Sequence, residues 1–278
     1  MPLVFQLWGD KMKAGISTAS FYPLETEKAF RCIAERGIKL AEIFVNTHCE
    51  LKNPYLSEVL EIQAEYGVEV RSVHPFVCGI EPMMLFTAYD RRVNDMIGYI
   101  ESFFEYMNRV GAKYYILHGN KPQNTCADEV YFERFERLQD AAKAYGVTVL
   151  QENVVRCTSR SLDFLIKMKA ALGDKAKFVL DTKQAHRSEL DPVDIVRALG
   201  DSILHLHYSD YGKKGDCLKF GDGEYDDLRL FSELKAADYK GDMVIELYKG
   251  SYRDADDLAE NCRALQDFLD KNGFSDNN

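Results

Sequence analysis

The sequence lacks the features that would mark a membrane or secreted protein. No stretch approaches the ~18 consecutive apolar residues that a membrane-spanning helix needs. The apolar segment within MPLVFQLWGDKMK is too short for a signal peptide, and its charges follow the apolar residues instead of preceding them. The seven cysteines are an odd number, and no pair has metal-finger spacing, which is typical of reduced thiols. We therefore expect a cytoplasmic protein.

Positive charge is also scarce. The chain carries 35 Lys and Arg residues against 45 Asp and Glu residues, so its formal net charge is −10 over 278 residues. Because nucleic-acid-binding proteins usually need a basic surface, this balance disfavours nucleic acid as a partner. The composition, 46% hydrophobic and 29% charged, is ordinary for a globular protein with a large core.

One structural unit repeats along the chain: a segment with helical periodicity ends at a glycine and is followed by a short apolar strand. Glycine just past a helix end adopts the left-handed conformation at little cost, so it stops the helix and turns the chain. This pattern occurs at Gly37, Gly67, Gly111 and Gly146. Three later strands, in AKFVLD, SILHLH and MVIEL, follow without a glycine at the junction.

With the opening KAGISTASF, these units give eight predicted strands, which begin near residues 13, 39, 68, 113, 147, 177, 203 and 243. Eight β-then-α units favour a closed (β/α)8 TIM barrel that forms a single domain over 1–278. Residues 1–11 are then an N-terminal extension, and residues 273–278 are a flexible tail. An open doubly wound sheet is disfavoured. Such a sheet usually has a G-x-G-x-x-G turn after its first strand, and the segment GISTASFYP, which follows the first predicted strand here, lacks it.

The last predicted helix has a clear apolar face. The segment DDLAENCRALQDFL places four apolar residues on one side at helical spacing. These are Leu258, Cys262, Leu265 and Leu269. We expect this face to pack against the barrel.

Six consecutive predicted strands end on an ionisable side chain, which is where barrel enzymes place their chemistry. In chain order these residues are His74, His118, Glu152, Asp181, His207 and Glu246. Taken singly, each has an ordinary structural explanation, such as a core histidine bonded to backbone, or an aspartate that caps the following helix. His205 lies one layer deeper than His207 and is assigned to the core.

Taken together, the carboxylates at these strand ends need a neutralising group. Glu152, Asp181 and Glu246 would repel and desolvate one another at one barrel mouth. Basic residues are sparse there, and only Lys183 shares the inward orientation of Asp181. A divalent cation is the simpler answer, with His207 as the fourth ligand. This donor set suits Mn²⁺ first, and Mg²⁺, Co²⁺ or Zn²⁺ as alternatives.

The ordered motifs GIKLAEIF, VGAKYYILHGN, LQEN, VLDTKQA, ILHLHYSD and VIELY resemble the xylose isomerase-like TIM-barrel superfamily, in particular its sugar isomerase/epimerase branch. The resemblance covers nearly the whole chain. It implies the metal ligands Glu152, Asp181, His207 and Glu246, with the two glutamates acting also as the acid/base pair. It further implies a ketose or sugar phosphate isomerase/epimerase that removes a proton next to a carbonyl through a cis-enediolate.

Substrate contacts are expected on the other half of the mouth, from His74 and His118, and from Lys183 beside the metal ligands. The sequence departs from many epimerases at two further positions: Gln184 replaces a histidine, and Lys213, in the loop YGKKGD, replaces an arginine. These two residues are also predicted to contact the substrate, and the departures leave the exact reaction open. The expected partner is a small sugar-derived molecule, with no membrane partner, and a homo-oligomer stays open.

The sequence does not identify a site that would bind a substrate phosphate group. Lys249 and Arg253, in YKGSYRDADD, could bind one next to the last helix. A solvated run of charges explains these two residues better.

Three alternatives stay open. A metal-dependent dehydratase of a cyclic polyol or keto acid would share the barrel and the four ligands. A zinc-dependent apurinic endonuclease of the same superfamily would use His74 and His118 as ligands. It also needs a histidine where Gln184 stands, and an Asp-x-His pair where Asp216 is followed by Leu218. A barrel that only binds a ligand is disfavoured by the intact ligand set.

Overall fold

In the computed structural model, which describes residues 12–275, eight parallel strands close into a barrel. The strands in chain order are β1 (Ala14–Ser17), β2 (Leu40–Val45), β3 (Glu69–Pro75), β4 (Tyr114–Leu117), β5 (Thr148–Glu152), β6 (Phe178–Asp181), β7 (Ile203–Tyr208), β8 (Asp210–Gly212), β9 (Gly215–Leu218) and β10 (Asp242–Ile245). All but β8 and β9 belong to the barrel, and each barrel strand begins within one residue of its predicted position. The predicted (β/α)8 fold is confirmed.

Helices surround the barrel and connect its strands. They are α1 (Thr26–Glu35), α2 (Tyr55–Tyr66), α3 (Glu81–Met84), α4 (Asp90–Val110), α5 (Asp128–Lys143), α6 (Leu162–Leu172), α7 (Thr182–Arg187), α8 (Pro192–Leu199), α9 (Asp227–Ala236) and α10 (Ala255–Lys271). The predicted apolar face of α10 is buried, since Leu258, Cys262, Leu265 and Leu269 are at most 1% exposed. Within residues 12–275, no helix combines the length and apolar character needed to cross a bilayer.

Two of the predicted glycine stops are the C-terminal caps of their helices. Gly67 ends α2 with φ of +64°, and Gly111 ends α4 with φ of +78°. Residues with a Cβ rarely adopt this left-handed conformation, so glycine ends the helix there with little strain. Because a glycine marks each of these helix ends, the predicted starts of the strands that follow are accurate.

The strand order brings the predicted ligands together. In the closed barrel β5, β6, β7 and β10 are consecutive neighbours, and β10 then pairs with β1. The register places Asp181 of β6 opposite His207 of β7, and Glu152 of β5 opposite Val179 of β6. The carboxyl ends of these four strands therefore form one side of the barrel mouth.

One segment differs from its expected structure. The expected loop YGKKGD forms the turn region of an antiparallel hairpin between β8 and β9. The Asp210 carboxylate anchors the following segment, because its Oδ2 accepts hydrogen bonds from the backbone N–H groups of Gly221 and Gly223, at 3.1 and 2.9 Å. These contacts join residues distant along the chain, so local sequence patterns do not indicate them.

The sequence predicts an N-terminal extension at one chain end and a flexible tail at the other. The expected N-terminal extension, residues 1–11, and residues 276–278 of the expected tail lie outside the described residues. The first part of the expected tail is packed: the ring of Phe274 lies 5.7 Å from that of Phe231, measured between centroids.

Candidate metal centre

Four side chains converge at the carboxyl end of the barrel. Glu152 and Asp181 are the last residues of β5 and β6, His207 lies in β7, and Glu246 directly follows β10. One potential ligand atom from each of the four lies within 4.8 Å of the others. The first three residues are at most 1% exposed, whereas the side chain of Glu246 is 18% exposed. We call these four residues the quartet.

The quartet contains buried polar atoms that lack a hydrogen-bond partner among the described residues. These atoms are Glu152 Oε2, Asp181 Oδ2 and His207 Nδ1. Burying a polar atom without a partner is costly, so such groups usually have a function or a missing ligand. Carboxylate oxygens and imidazole nitrogens are the atoms that Mn²⁺ and related ions bind. The residues present therefore fit a divalent ion.

Glu42 on β2 determines which imidazole nitrogen of His207 faces the quartet. His207 Nε2 lies 2.9 Å from Glu42 Oε2, and both side chains are fully buried. With Nε2 donating to this carboxylate, Nδ1 is directed at Glu152 Oε1 and Glu246 Oε2, at 3.4 and 3.7 Å. Metal-binding histidines are commonly oriented by a carboxylate in this way. Glu42 was not predicted as a site residue, although a glutamate within the apolar run LAEIF was an available signal.

Asp181 caps α7, as the sequence allowed, and also directs an oxygen at the quartet. Its Oδ1 accepts a hydrogen bond of 2.8 Å from the backbone N–H of Gln184 and so caps α7. Its Oδ2 remains directed into the quartet. Asn153 fixes the backbone of this strand end, because its amide group bonds both the N–H and the carbonyl of Asp181.

Lys183 places a positive charge beside the quartet. Its Nζ lies 3.0 Å from Glu246 Oε2 and 3.6 Å from Asp181 Oδ2, and the residue is 3% exposed. This ammonium is an alternative to a metal ion for balancing the site. It is not sufficient on its own, because the carboxylates of Glu42 and Glu152 are buried nearby in addition to its two partners.

The pKa values reflect this excess of carboxylates. Burial raises the pKa of Asp181 to about 7; Lys183 opposes this shift, while Glu152 and Glu246 add to it. Burial disfavours the charged form of His207, but the carboxylates of Glu42, Glu152 and Glu246 together outweigh burial and hold the pKa of this imidazole well above its usual range. Protons therefore balance the carboxylates when no metal is bound, and metal binding must release them.

His74 and His118, the expected substrate contacts, lie against the quartet. Their Nε2 atoms are 2.9 Å apart, and His118 Nε2 approaches Glu152 Oε2 to 3.0 Å without hydrogen-bond geometry. The two histidines and Glu152 form a second group whose ligand atoms lie close together. Burial disfavours charge on Glu152, but His118 and His207 together outweigh burial and hold the pKa of this carboxyl well below its usual range.

Gln184 and Lys213, the two predicted substrate contacts that differ from the residues of many epimerases, lie in different places. Gln184 lines a cavity at the barrel mouth, and its Oε1 accepts a hydrogen bond of 3.1 Å from the backbone N–H of Val155. Lys213 lies in the turn between β8 and β9, where its side chain is 87% exposed and its Nζ is 3.7 Å from Glu224. The structure therefore brings Gln184 to the mouth but leaves Lys213 at the surface.

A buried polar layer supports the quartet from below. The Glu42 carboxylate accepts hydrogen bonds from the hydroxyl groups of Ser17 and Ser72, at 2.9 and 2.8 Å. His205 Nε2 lies 3.2 Å from the same Ser72 hydroxyl. Burial lowers the pKa of His205 to about 3, so this histidine is neutral. His205 is thus a core residue, as the sequence indicated.

The chain belongs to the xylose isomerase-like TIM barrel family, whose model matches residues 30–271. An uncharacterized protein of Mycobacterium leprae (strain TN) is 25% identical over 268 residues, which cover 88% of this chain and 91% of that protein. The family match agrees with the closed barrel of the structure.

Solved structures with the same fold include sugar epimerases. A D-tagatose 3-epimerase-like protein matches with a TM-score of 0.78 at 20% identity, covering 94% of this chain and 98% of its own. An L-ribulose 3-epimerase matches with a TM-score of 0.76 at 17% identity, covering 94% and 96%. The IOLI protein, crystallised with a zinc atom, matches with a TM-score of 0.76 at 16% identity, covering 96% and 100%. At these identities the likeness establishes the fold alone.

Proposed function

We propose that this protein is a divalent-metal-dependent sugar isomerase or epimerase that removes a proton next to a carbonyl. The observation that carries the proposal is the quartet, in which two glutamates approach the same nitrogen of one imidazole. His207 Nδ1 is 3.4 Å from Glu152 Oε1 and 3.7 Å from Glu246 Oε2. Two carboxylates in one buried site provide an acid and a base for a single substrate carbon.

Glu152, Asp181, His207 and Glu246 would hold the ion. Mn²⁺ is the proposed metal, because three carboxylates and one imidazole form a harder donor set than most zinc sites use. When bound, a divalent ion polarises a substrate carbonyl and stabilises the enediolate that follows proton removal.

The two glutamates would move the proton. One glutamate, in its ionised form, removes the hydrogen from the carbon next to the carbonyl, and the other, in its protonated form, returns a proton to the opposite face, which inverts that carbon. Return to the neighbouring carbon instead gives isomerisation. Lys183 and His118 contact Glu246 and Glu152 respectively, and their positive charge favours the ionised carboxylates that proton removal requires.

The proposed substrate contacts are the polar groups on the rest of the mouth. His74 and His118 would hold sugar hydroxyl groups. Gln184 lines the same cavity as His118, and Lys183 lies beside Glu246. Lys213 is left out of this set because its ammonium lies at the surface. The similarity of the fold to structures of sugar epimerases supports a sugar as the substrate class.

Solvent deuterium exchange tests the proposal even when the product is unknown. The Mn²⁺-loaded protein is incubated in D₂O with D-tagatose, D-allulose, D-ribulose and D-fructose, and deuterium incorporation is followed by NMR. We expect one ketose to gain deuterium at the carbon next to its carbonyl. Absence of exchange across this panel and the corresponding sugar phosphates would contradict the proposal.

A second candidate is a metal-dependent dehydratase. The fold also matches the probable 3-DHS dehydratase AsbF from Bacillus anthracis, with a TM-score of 0.71 at 14% identity, covering 92% of this chain and 99% of that one. Such a reaction begins with the same proton removal and continues with loss of a hydroxyl group as water. Formation of a conjugated enone, seen by its ultraviolet absorbance, distinguishes it from epimerisation.

The apurinic endonuclease alternative has less support from the described residues. Those endonucleases need an Asp-x-His pair of metal ligands, and Asp216 stands at the first position of that pair in this chain. Its carboxylate accepts two hydrogen bonds from the Arg187 guanidinium, at 2.5 and 3.1 Å. We therefore propose a small-molecule substrate. A cytoplasmic location is also proposed, and it is supported by the seven cysteines, all of which are free.

A further inference from the structure

We propose that the substrate carries an oxyanion, either a phosphate ester or a carboxylate, which Lys121 and Arg156 bind at the barrel mouth. The inference deepens the proposed function and rests on it for the position of the reacting end of the substrate. The binding preference itself can be measured without any turnover.

The first observation is a cavity of about 310 Å³ beside the quartet. His118 lines it, and the same imidazole lies 3.0 Å from Glu152 Oε2, so the cavity adjoins the quartet. Ligand pockets for small molecules begin at roughly this size. A sugar with its carbonyl end at the quartet would extend into this cavity.

The second observation is the charge of the cavity wall. Lys121, Arg156 and Arg187 line it, and none of the described residues lining it is Asp or Glu. The charge of this wall is opposite in sign to that of the whole chain, whose formal net charge is −10. A wall with cations alone favours a ligand of negative charge.

The third observation is that two of these three basic side chains have no ion-pair or hydrogen-bond partner among the described residues. The Arg187 guanidinium is held by Asp216 and by the Tyr248 hydroxyl. Lys121 and Arg156 are exposed, and across residues 12–275 neither side chain makes an ion pair or a hydrogen bond to another described residue. They come from the segments that follow β4 and β5, so both face the same mouth.

This pair has the chemistry of an oxyanion site. A guanidinium can donate two parallel hydrogen bonds to a phosphate or carboxylate, and an ammonium adds a compact charge. The residues considered for phosphate from the sequence are engaged elsewhere: Arg253 pairs with Asp254 at 3.1 Å, and Lys249 lies over the ring of Tyr252. The mouth therefore offers the better site.

Calorimetric titration of the Mn²⁺-loaded protein tests the inference. The probes are D-ribulose and D-ribulose 5-phosphate, D-fructose and D-fructose 6-phosphate, and D-glucuronate with D-glucose as the carboxylate arm. We expect at least one anionic probe to bind about tenfold or more tightly than its neutral counterpart, and we expect added salt to weaken this preference. The arm with the larger preference identifies phosphate ester or carboxylate as the group that is bound.

A double variant and its matched control locate the effect. K121Q/R156Q should reduce the preference for the anionic probe to within about threefold, because it removes both cations. The control R109Q/K143Q removes the same two charges from exposed residues near the ends of α4 and α5, at the opposite end of the barrel, and should keep the preference. Equal binding of every neutral and anionic pair by the wild-type protein, or an unchanged preference in K121Q/R156Q, would overturn the inference.

The outcome separates this inference from the proposed function. Proton exchange in a neutral ketose, with no preference for anionic probes, would remove the oxyanion site and leave the isomerase proposal intact. Selective binding of anions, with no exchange in any sugar, sugar phosphate or sugar acid, would leave the oxyanion site and remove the isomerase proposal.

Discussion

At the scale of single residues, Glu152 and Glu246 are the groups on which the proposed chemistry depends. E152Q and E246Q keep the shape of each side chain but remove its ability to take a proton. We expect each to lower the rate of deuterium exchange by about 10²–10⁴-fold, the usual contribution of general acid–base catalysis. E129Q, at an exposed glutamate near the start of α5, should exchange at the wild-type rate. Activity of E152Q or E246Q within about tenfold of wild type would end this assignment.

Lys183 should compete with the metal ion. Its ammonium lies 3.0 Å from Glu246 Oε2, where it repels a divalent cation and occupies one ligand oxygen. K183M removes that charge, so we expect Mn²⁺ to bind about tenfold or more tightly, measured by competition with a fluorescent chelator. K143M, on the outer surface, is the control. Unchanged affinity in K183M would show that the ammonium and the ion do not share this space.

Glu42 should act through His207 as a positioning residue. E42Q replaces the carboxylate that bonds His207 Nε2 with a neutral amide. Loss of such a partner typically lowers metal affinity by about 10–100-fold, and the absorption spectrum of bound Co²⁺ should change with the ligand field. S72A removes one hydrogen bond to Glu42 and keeps its charge, so its Co²⁺ spectrum should match wild type. A wild-type spectrum and affinity in E42Q would contradict this role.

At the scale of elements, α10 stabilises the barrel without touching the site. Leu265 on this helix is fully buried. L265A leaves a cavity, and we expect it to lower the free energy of unfolding by about 2–5 kcal/mol in urea titrations. Metal affinity of the folded protein should be unchanged, because α10 contributes no residue to the quartet. A change in metal affinity without loss of stability would argue against this division of roles.

Local patterns predict the elements well where short-range rules apply. Glycine stops such as Gly67 and Gly111 mark helix ends, and the apolar runs that follow them are strands, so the strand starts could be predicted closely. The arrangement that follows the β8–β9 hairpin could not be predicted in this way, because Asp210 holds it through amides that lie 11 and 13 residues away.

The convergence of the quartet could also be predicted, because a closed parallel barrel brings all strand ends to one mouth. Its supporting groups could not. Glu42 meets His207 across 165 residues of sequence, and Lys121 and Arg156 lie in segments without periodicity. Only the closed barrel shows that these residues are neighbours.

At the scale of the whole molecule, an acidic chain gathers a cluster of buried carboxylates at the carboxyl end of its barrel. These carboxylates belong to Glu42, Glu152, Asp181 and Glu246. Lys183 pairs with the last two, and protons on His207 and His118 supply further positive charge when no metal is bound. In the proposed account, a divalent ion would replace those protons. It would then also stabilise the folded state, by an amount that grows with the concentration of free metal.

The most direct measurement is the metal content of the protein purified without chelator and dialysed against Mn²⁺, compared with the variant D181N. Elemental analysis should find one divalent ion per chain in the wild-type protein, and far less in D181N, because Asp181 Oδ2 is one of the proposed ligands. Three zinc ions per chain would instead favour the nuclease alternative. No bound metal, in a protein that stays folded with Lys183 against Glu246, would contradict the account.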